Sequence, residues 1–373
     1  LSGQNNNGKK NGGGGGPDRD VILIGGEEIG LGENRDIRLK ISETYTGDEI
    51  ALPVRIYRGA EPGPRVFVTA GVHGDEVNGI GIAQDLMCTD PLTIERGTLI
   101  LVPVVNVFGF ETHERYLPDR RDLNRAFPGT DTGSLAGRIA HVVMEEIIRG
   151  SDYGIDLHSA AFQRTNFPNV RGDMKYAGVR RLAKAFGCPL IVAGKGPDGS
   201  LRSEACRAGV PTIILEAGEP WKIEPSVLEI GTRGVRNVLK ELGMTSGRPV
   251  WPKLQINIRK TEWVRAEVGG ILRFHVGPGD LVEKDQPLAT NYTVLGRQQN
   301  VLLSPANGIL LGMTTMPAVK PGEPVGHIAV PRRKFETLRR QMEELARSRF
   351  HRTAARDLAT NIAVSEPEEA NGD

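Results

Sequence analysis

Cysteine, net charge and long apolar runs are all scarce in this chain, and each scarcity removes a class of protein. The three cysteines among 373 residues, Cys88, Cys188 and Cys206, are odd in number and far apart. They exclude a disulfide framework or a zinc knuckle and read as reduced core residues. Formal net charge is +1 and no basic run dominates, so neither nucleic acid nor an anionic membrane surface is an expected partner. No apolar run approaches the length of a membrane span, and no signal-peptide hydrophobic region stands near residue 1. A cytoplasmic location is the resulting expectation.

What is present is a chain too long for one small core, so two folded domains with tails are expected. Residues 1–19, rich in Gln, Asn, Lys and Gly, form a disordered tail by composition. Between Val21 and Arg58 short alternating segments suggest antiparallel edge strands. Strand candidates at 65–70, 98–105, 153–158, 189–193 and 211–216 then alternate with helices near 76–88, 134–149, 175–187, 200–208 and 224–242. This alternation predicts an α/β fold over 20–250, a mixed, mostly parallel sheet with helices on both faces. Its site should lie beyond the carboxyl ends of the strands.

Three strand ends carry chemistry. Ala70-Gly71-Val72-His73-Gly74-Asp75-Glu76 follows an apolar strand, and Gly71 and Gly74 permit a sharp turn. A histidine and a carboxylate three residues apart can converge on one divalent ion, and this donor pair suits zinc better than calcium or magnesium. Asp156-Leu157-His158 ends a second strand. His158 supplies the third ligand of a catalytic zinc, and Asp156, on the same side, fits either an orienting role behind a ligand or a plain cap. Glu216 ends the apolar strand Pro211–Leu215, where a carboxylate needs a partner or a use. It is a candidate general base for the attacking water, with Glu219 as its competitor. The basic loop Glu114–Gly129 holds Asn124 beside Arg125, a fork for a substrate carboxylate. Ser134 and Ser159 lack a base partner and read as cap or loop residues.

His73-x-x-Glu76, Asp122-Leu123-Asn124-Arg125-x-Phe127-Pro128-Gly129, Asp156-Leu157-His158 and Glu216-Ala217-Gly218 together resemble, in order, the motifs of the succinylglutamate desuccinylase/aspartoacylase family, related in fold to the zinc carboxypeptidases. The resemblance spans about residues 40–245. It implies a hydrolase of N-acyl amino acids with one Zn²⁺ per chain on His73, Glu76 and His158. It further implies Glu216 as general acid/base, Asn124 and Arg125 on a substrate carboxylate, and Arg115 polarising the scissile carbonyl. The spacing from Arg115 to Asn124 is longer than the family pattern, which leaves Arg120 and Arg121 open for that last role. Gln163–Arg171 resembles a family substrate loop, with Arg164 favoured over Arg171 as a binding residue.

From 251 to 331 short β segments with Gly and Pro echo one another at a spacing of about 37 residues. They resemble a small all-β biotinyl/lipoyl barrel-sandwich domain, although Leu295–Gln299 has no lysine at the modified turn. No lipoyl or biotin attachment is expected there, and His275 and His327 read as structural. A charged helix is expected at 332–360, with Phe335, Leu338, Met342, Leu345 and Phe350 as its apolar stripe, and a disordered tail at 361–373. The first expectation is therefore a zinc amidohydrolase acting on a small N-acyl amino acid, with homo-oligomerisation left open. The alternatives are a zinc carboxypeptidase acting on short peptides and a non-catalytic metal-binding protein.

Overall fold

The computed structural model describes residues 21–358 apart from 90, 91, 253, 334, 347 and 348. The tails expected at 1–19 and 361–373 lie outside the described residues. An N-terminal hairpin of β1 (Val21–Ile24) and β2 (Glu27–Gly30) leads into β3 (Asn34–Glu43) and β4 (Glu49–Arg58). In β3 the outward Arg38 and Lys40 alternate with buried Ile37, Leu39 and Ile41, the period-2 pattern of an edge strand with one face on the core.

Strands and helices then alternate: β5 (Glu61–Ala70), α1 (Asn78–Gln84), β6 (Arg96–Val102), α2 (Val107–Thr112), α3 (Leu135–Val142), β7 (Tyr153–His158), β8 (Arg164–Gly172), α4 (Ala177–Phe186), β9 (Leu190–Ala193), α5 (Leu201–Arg207), β10 (Thr212–Gly218) and α6 (Pro225–Glu241). Helices α1 and α3 continue as π-helical turns over Asp85–Thr89 and Val143–Ile148. Ser134 caps α3 by accepting from Gly137 N at 3.2 Å. Strand alternation divides the core. Val66, Val68 and Ala70 of β5 pack in one cluster with residues of α1, α4 and α6, whereas Phe67 packs in another with residues of α3 and α5.

The sheet is mixed, and less parallel than expected. Strands β6, β5, β7 and β10 run parallel, as do β8, β9 and β11. The two groups meet through antiparallel β8 and β10, and β3 and β4 extend the other end antiparallel. A parallel neighbour needs a crossover of a dozen or more residues. Only residues 159–163 separate β7 from β8, so β8 returns in the opposite sense. The expected substrate loop Gln163–Arg171 is thus mostly strand. Its polar residues give it the composition of a loop, yet Thr165 and Asn169 are buried between neighbouring strands.

Close contacts in the centre set sharp limits on substitution. Gly154 of β7 lies opposite Phe67 of β5, and a Cβ on Gly154 would sit 2.1 Å from the Phe67 ring. Gly154→Ala is expected to destabilise by about 1–3 kcal/mol through overpacking. A urea unfolding midpoint within error of wild type would contradict this contact.

The last described elements are β11 (Ile256–Arg265), β12 (Gly270–Phe274), β13 (Leu281–Val282), β14 (Pro287–Tyr292), β15 (Gln298–Leu303), β16 (Gly308–Thr314), β17 (Ala318–Val319), β18 (Pro324–Pro331) and helices α7 (Phe335–Ala346) and α8 (Arg349–Leu358). These strands do not make a self-contained module. Strands β15, β14, β12 and β17 form their own sheet, but β13, β16, β18 and β11 complete the main one. Strand β11 joins it parallel to β9, and β16 lies antiparallel to β8. Leu272, Phe274 and Leu288 fill the space against Val264, Leu310 and Ile328. Leu338, Met342 and Phe350 of the terminal helices are buried, and Asp357 accepts from Ser226 N at 2.9 Å, tying α8 to α6. Of the cysteines, Cys188 and Cys206 are buried as expected, but Cys88 is exposed at the end of the π-helical turn after α1.

Candidate metal and catalytic site

Two sharp turns bring the first two ligand candidates together. Beyond β5 the backbone enters the left-handed region at Gly71 (φ 58°), which favours glycine. At Gly74 a Cβ would fall 1.9 Å from the Gly109 carbonyl carbon of α2, so only glycine lets the two backbones approach. The turn presents His73 and Glu76 beside the end of β7, where Ala70 is paired with Leu157 and His158 follows. His73, Glu76 and His158 are buried, and one potential ligand atom from each lies within 4.8 Å of the other two.

The surrounding hydrogen bonds orient these groups. His73 Nδ1 lies 2.6 Å from Glu76 Oε1, and His158 Nδ1 lies 2.9 Å from Glu76 Oε2. The opposite nitrogens meet orienting carboxylates, His73 Nε2 on Asp122 at 3.1 Å and His158 Nε2 on Asp156 at 2.7 Å. Asp156 also accepts from Thr69 Oγ1 at 2.8 Å. Each imidazole thus turns one nitrogen inward and has the other fixed by a carboxylate, the arrangement that aims histidines at a metal. The donor set fits a divalent cation of the zinc type, with two nitrogens and one carboxylate, all buried.

Charge in the cluster is strongly coupled. Burial opposes the charged form of Glu76, but His73 and His158 hold its carboxyl well below the ordinary range. Asp122 is pushed up by burial too, and held low overall by His73 and Arg115. Burial pulls both imidazoles down, yet Glu76 and Asp122 raise His73, and Asp156 with Glu76 raises His158 further. Arg115 completes the network, donating from Nη1 to Glu76 Oε1 at 3.1 Å and from Nη2 to Asp122 Oδ2 at 3.2 Å.

A cavity of about 250 Å³ opens over this cluster. Arg115, Asn124, Arg125, Arg164, Arg171 and Glu216 all line it. Arg120 and Arg121 do not: both are exposed, and Arg121 faces Asp119 at 3.7 Å. Glu216 stands beside His158 in the parallel register of β10 and β7, and its Oε2 accepts from Asn166 Nδ2 at 3.1 Å. Glu219 does not line the cavity and pairs instead with Lys222 at 3.0 Å. Asp122 accepts from Asn124 N at 2.8 Å, and Asn124 Oδ1 accepts from Leu201 N at 2.9 Å, which anchors the loop to α5. Ser159 N donates to Glu76 Oε2 at 2.8 Å.

Sequence reasoning missed four lining or orienting residues. Asp122 stands inside a recognised run but had no assigned role. Arg202 of α5 is 6% exposed and lines the cavity, yet its Nε and Nη1 have no acceptor among the described residues. Burial, reinforced by Arg171, pulls its pKa down to about 10. The signal was present: Arg202 adjoins Leu201 and precedes Ala205 on the buried side of a short helix, a core position occupied by a charge. Trp263 and His327, from the C-terminal strands, also line the cavity. His327 is therefore a wall residue of the site, which no local pattern announces.

An unpaired buried guanidinium destabilises the empty protein. Arg202→Met is accordingly expected to leave thermal stability unchanged or raised. A lower melting temperature would show that Arg202 serves the fold instead.

The model of the succinylglutamate desuccinylase/aspartoacylase catalytic domain matches residues 62–242, which include His73, Glu76, the Asp122–Gly129 run, His158 and Glu216. N-alpha-acetyl-L-2,4-diaminobutyric acid deacetylase of Halomonas elongata is 30% identical over 257 residues, covering 65% of this chain and 74% of that protein. A succinylglutamate desuccinylase/aspartoacylase from Rhodobacter sphaeroides shares the fold with a TM-score of 0.72 at 24% identity, over 81% of this chain and 96% of that one. The product-bound ectoine utilization protein EutE (DoeB) of Ruegeria pomeroyi does so with a TM-score of 0.72 at 22% identity, over 84% and 98%. The chain belongs to the succinylglutamate desuccinylase/aspartoacylase family of amide-bond deacylases.

Proposed function

We propose that the protein is a zinc-dependent amidohydrolase that cleaves the amide of a small N-acyl amino acid by direct attack of water. The observation that carries this reading is the buried His73, Glu76 and His158 cluster next to Glu216, at the floor of an arginine-lined cavity. Zinc held by those three side chains would supply Lewis acidity, polarising a carbonyl and acidifying water.

The remaining work falls to the chain's own groups. Glu216, steadied by Asn166, takes the proton of the attacking water at one carboxylate oxygen and later delivers it to the departing nitrogen. Arg115 places positive charge where the carbonyl oxygen becomes anionic. Asn124, Arg125 and Arg164 hold the substrate, with Arg202 on a carboxylate. Asn124 suits the task because its Oδ1 is already engaged by Leu201 N, leaving Nδ2 to donate. Ser134 caps a helix, and no described base faces Ser159, so a covalent acyl-enzyme has no support. The substrate is small and soluble, and none of the described helices is long and apolar enough to cross a membrane.

The test is release of primary amine by zinc-loaded protein from a panel of N-acetyl and N-succinyl amino acids and from short peptides. Turnover of the N-acyl amino acids above the peptides is expected. The reverse order would indicate a zinc carboxypeptidase, and no turnover a metal-binding protein.

A further inference from the structure

The strand that touches the Glu216 carboxylate is out of step with its neighbour β10. Glu216 faces Asn169 but Gly218 faces Asn166, so β8 carries one more residue than β10 between those pairs. This is a β-bulge, and Pro168, which has no N–H to give to a ladder, stands inside it. Without the extra residue Phe167 would face Gly218; with it that place falls to Asn166. Glu216 and Gly218 lie on the same face of β10, so the Asn166 amide reaches the carboxylate diagonally, Nδ2 donating to Oε2 at 3.1 Å. The Asn169 amide pins the bulge, donating to the Phe167 carbonyl at 2.8 Å and to the Glu216 carbonyl at 3.1 Å. Arg171 Nε fixes the sense of that amide by donating to Asn169 Oδ1 at 2.9 Å.

The other edge of β8 is closed by a C-terminal strand. Gly312 of β16 lies opposite Asn166, and β16 is itself bulged there, for Leu310 faces Ile328 and Gly312 faces His327, with Leu311 as the extra residue. Gly312 is not in the left-handed region, so its backbone does not call for glycine. The space beside it does. A Cβ would stand 2.5 Å from Asn166 Oδ1 and 2.8 Å from the Thr165 carbonyl oxygen, so the Asn166 amide rests where a side chain on residue 312 would be. Next along β8, Phe167 is buried against Gly279, where a Cβ would come within 2.6 Å of its ring, and meets Phe350 of α8 edge-on with centroids 6.1 Å apart. Gly279, Gly312 and Phe350 all lie beyond the residues 62–242 that the family model matches.

We propose that the C-terminal strands take part in the reaction by aiming the general base: Gly312 leaves room for the Asn166 amide, and Asn166 holds Oε2 of Glu216 so that Oε1 is left to take the proton of water. Asn166 and Gly312 are positioning residues, acting through Glu216 and exchanging no proton themselves. This rests on the hydrolase reading above.

The test measures kcat, KM and zinc content of the full chain on the N-acyl amino acid that it turns over fastest. Asn166→Ala should lower kcat by about 10- to 100-fold, the range of one hydrogen bond to a charged group, with KM and zinc content unchanged. Gly312→Ala should also lower kcat, by displacing that amide. Gly308→Ala is its control, since a Cβ there overpacks the same strand against the Ala329 carbonyl oxygen, away from Asn166, and kcat should stay at the wild-type value. In a Glu216→Gln background Asn166→Ala should cost no further activity, because the group that it aims is gone. An unchanged kcat for Asn166→Ala, a loss expressed in KM alone, equal kcat for Gly312→Ala and Gly308→Ala, or an additive loss in the Glu216→Gln background would overturn the proposal. If Gly312→Ala does not fold, Asn166→Ala and its cycle with Glu216→Gln decide. If no N-acyl amino acid is hydrolysed, the hydrolase reading fails, and crystal structures of the zinc-loaded wild type and Asn166→Ala decide the aiming contact. A Glu216 carboxylate that turns away in the variant sustains it, and one that stays in place overturns it.

Discussion

Glu216→Gln should lower kcat by about 10²–10⁴-fold, the usual contribution of a positioned general base, with the metal content of the protein unchanged. The substitution is nearly isosteric. A glutamine Oε1 can still accept from Asn166 Nδ2, so the packing at the end of β10 survives. What disappears is a carboxylate able to take a proton from water. Because Glu216 lies outside the His73, Glu76 and His158 cluster, the metal should stay and KM should move little. Steady-state kinetics and elemental analysis on one preparation check both halves. Loss of metal together with activity would make Glu216 a ligand, and full activity would transfer the base role elsewhere.

His158→Ala should have a larger and different effect, abolishing stoichiometric metal binding and activity together. The imidazole stands between Glu76 Oε2 and Asp156 Oδ2 at 2.9 and 2.7 Å. Removing it takes away a ligand and leaves two buried carboxylates facing a gap. Breaking a buried charge pair from one side destabilises by about 3–5 kcal/mol, so the melting temperature of the metal-free protein should fall as well. Inductively coupled plasma analysis and a thermal melt measure the two effects. Retention of about one metal per chain would show that the ion is held elsewhere.

How much of this was legible in the sequence depends on whether a residue's partner is local. His73, Glu76, His158 and Glu216 are readable because each is a polar residue near the end of an apolar strand, where backbone pattern alone gives its position. Strand β7 spans Tyr153–His158 as its pattern indicates. Strand β8 is not readable, because its polar residues look outward to a composition-based reading but are buried or line the cavity in the fold. The same holds for Arg202. A charge on the buried side of α5 is a local anomaly, but its meaning depends on a cavity that residues of five separate strands line. The C-terminal strands read correctly as short β segments with Gly and Pro turns. That β11 and β16 pair with β9 and β8 is a long-range fact, and with it goes the placement of Trp263 and His327 in the wall of the site.

The most direct measurement is amine release from the N-acyl amino acid panel by protein as purified, after exhaustive chelation, and after return of zinc. A metal-dependent hydrolase built on His73, Glu76 and His158 should lose activity on chelation and regain it with about one equivalent of zinc per chain. Undiminished hydrolysis by the chelated protein, or zinc that binds at one equivalent and restores no turnover of any N-acyl amino acid, would contradict it.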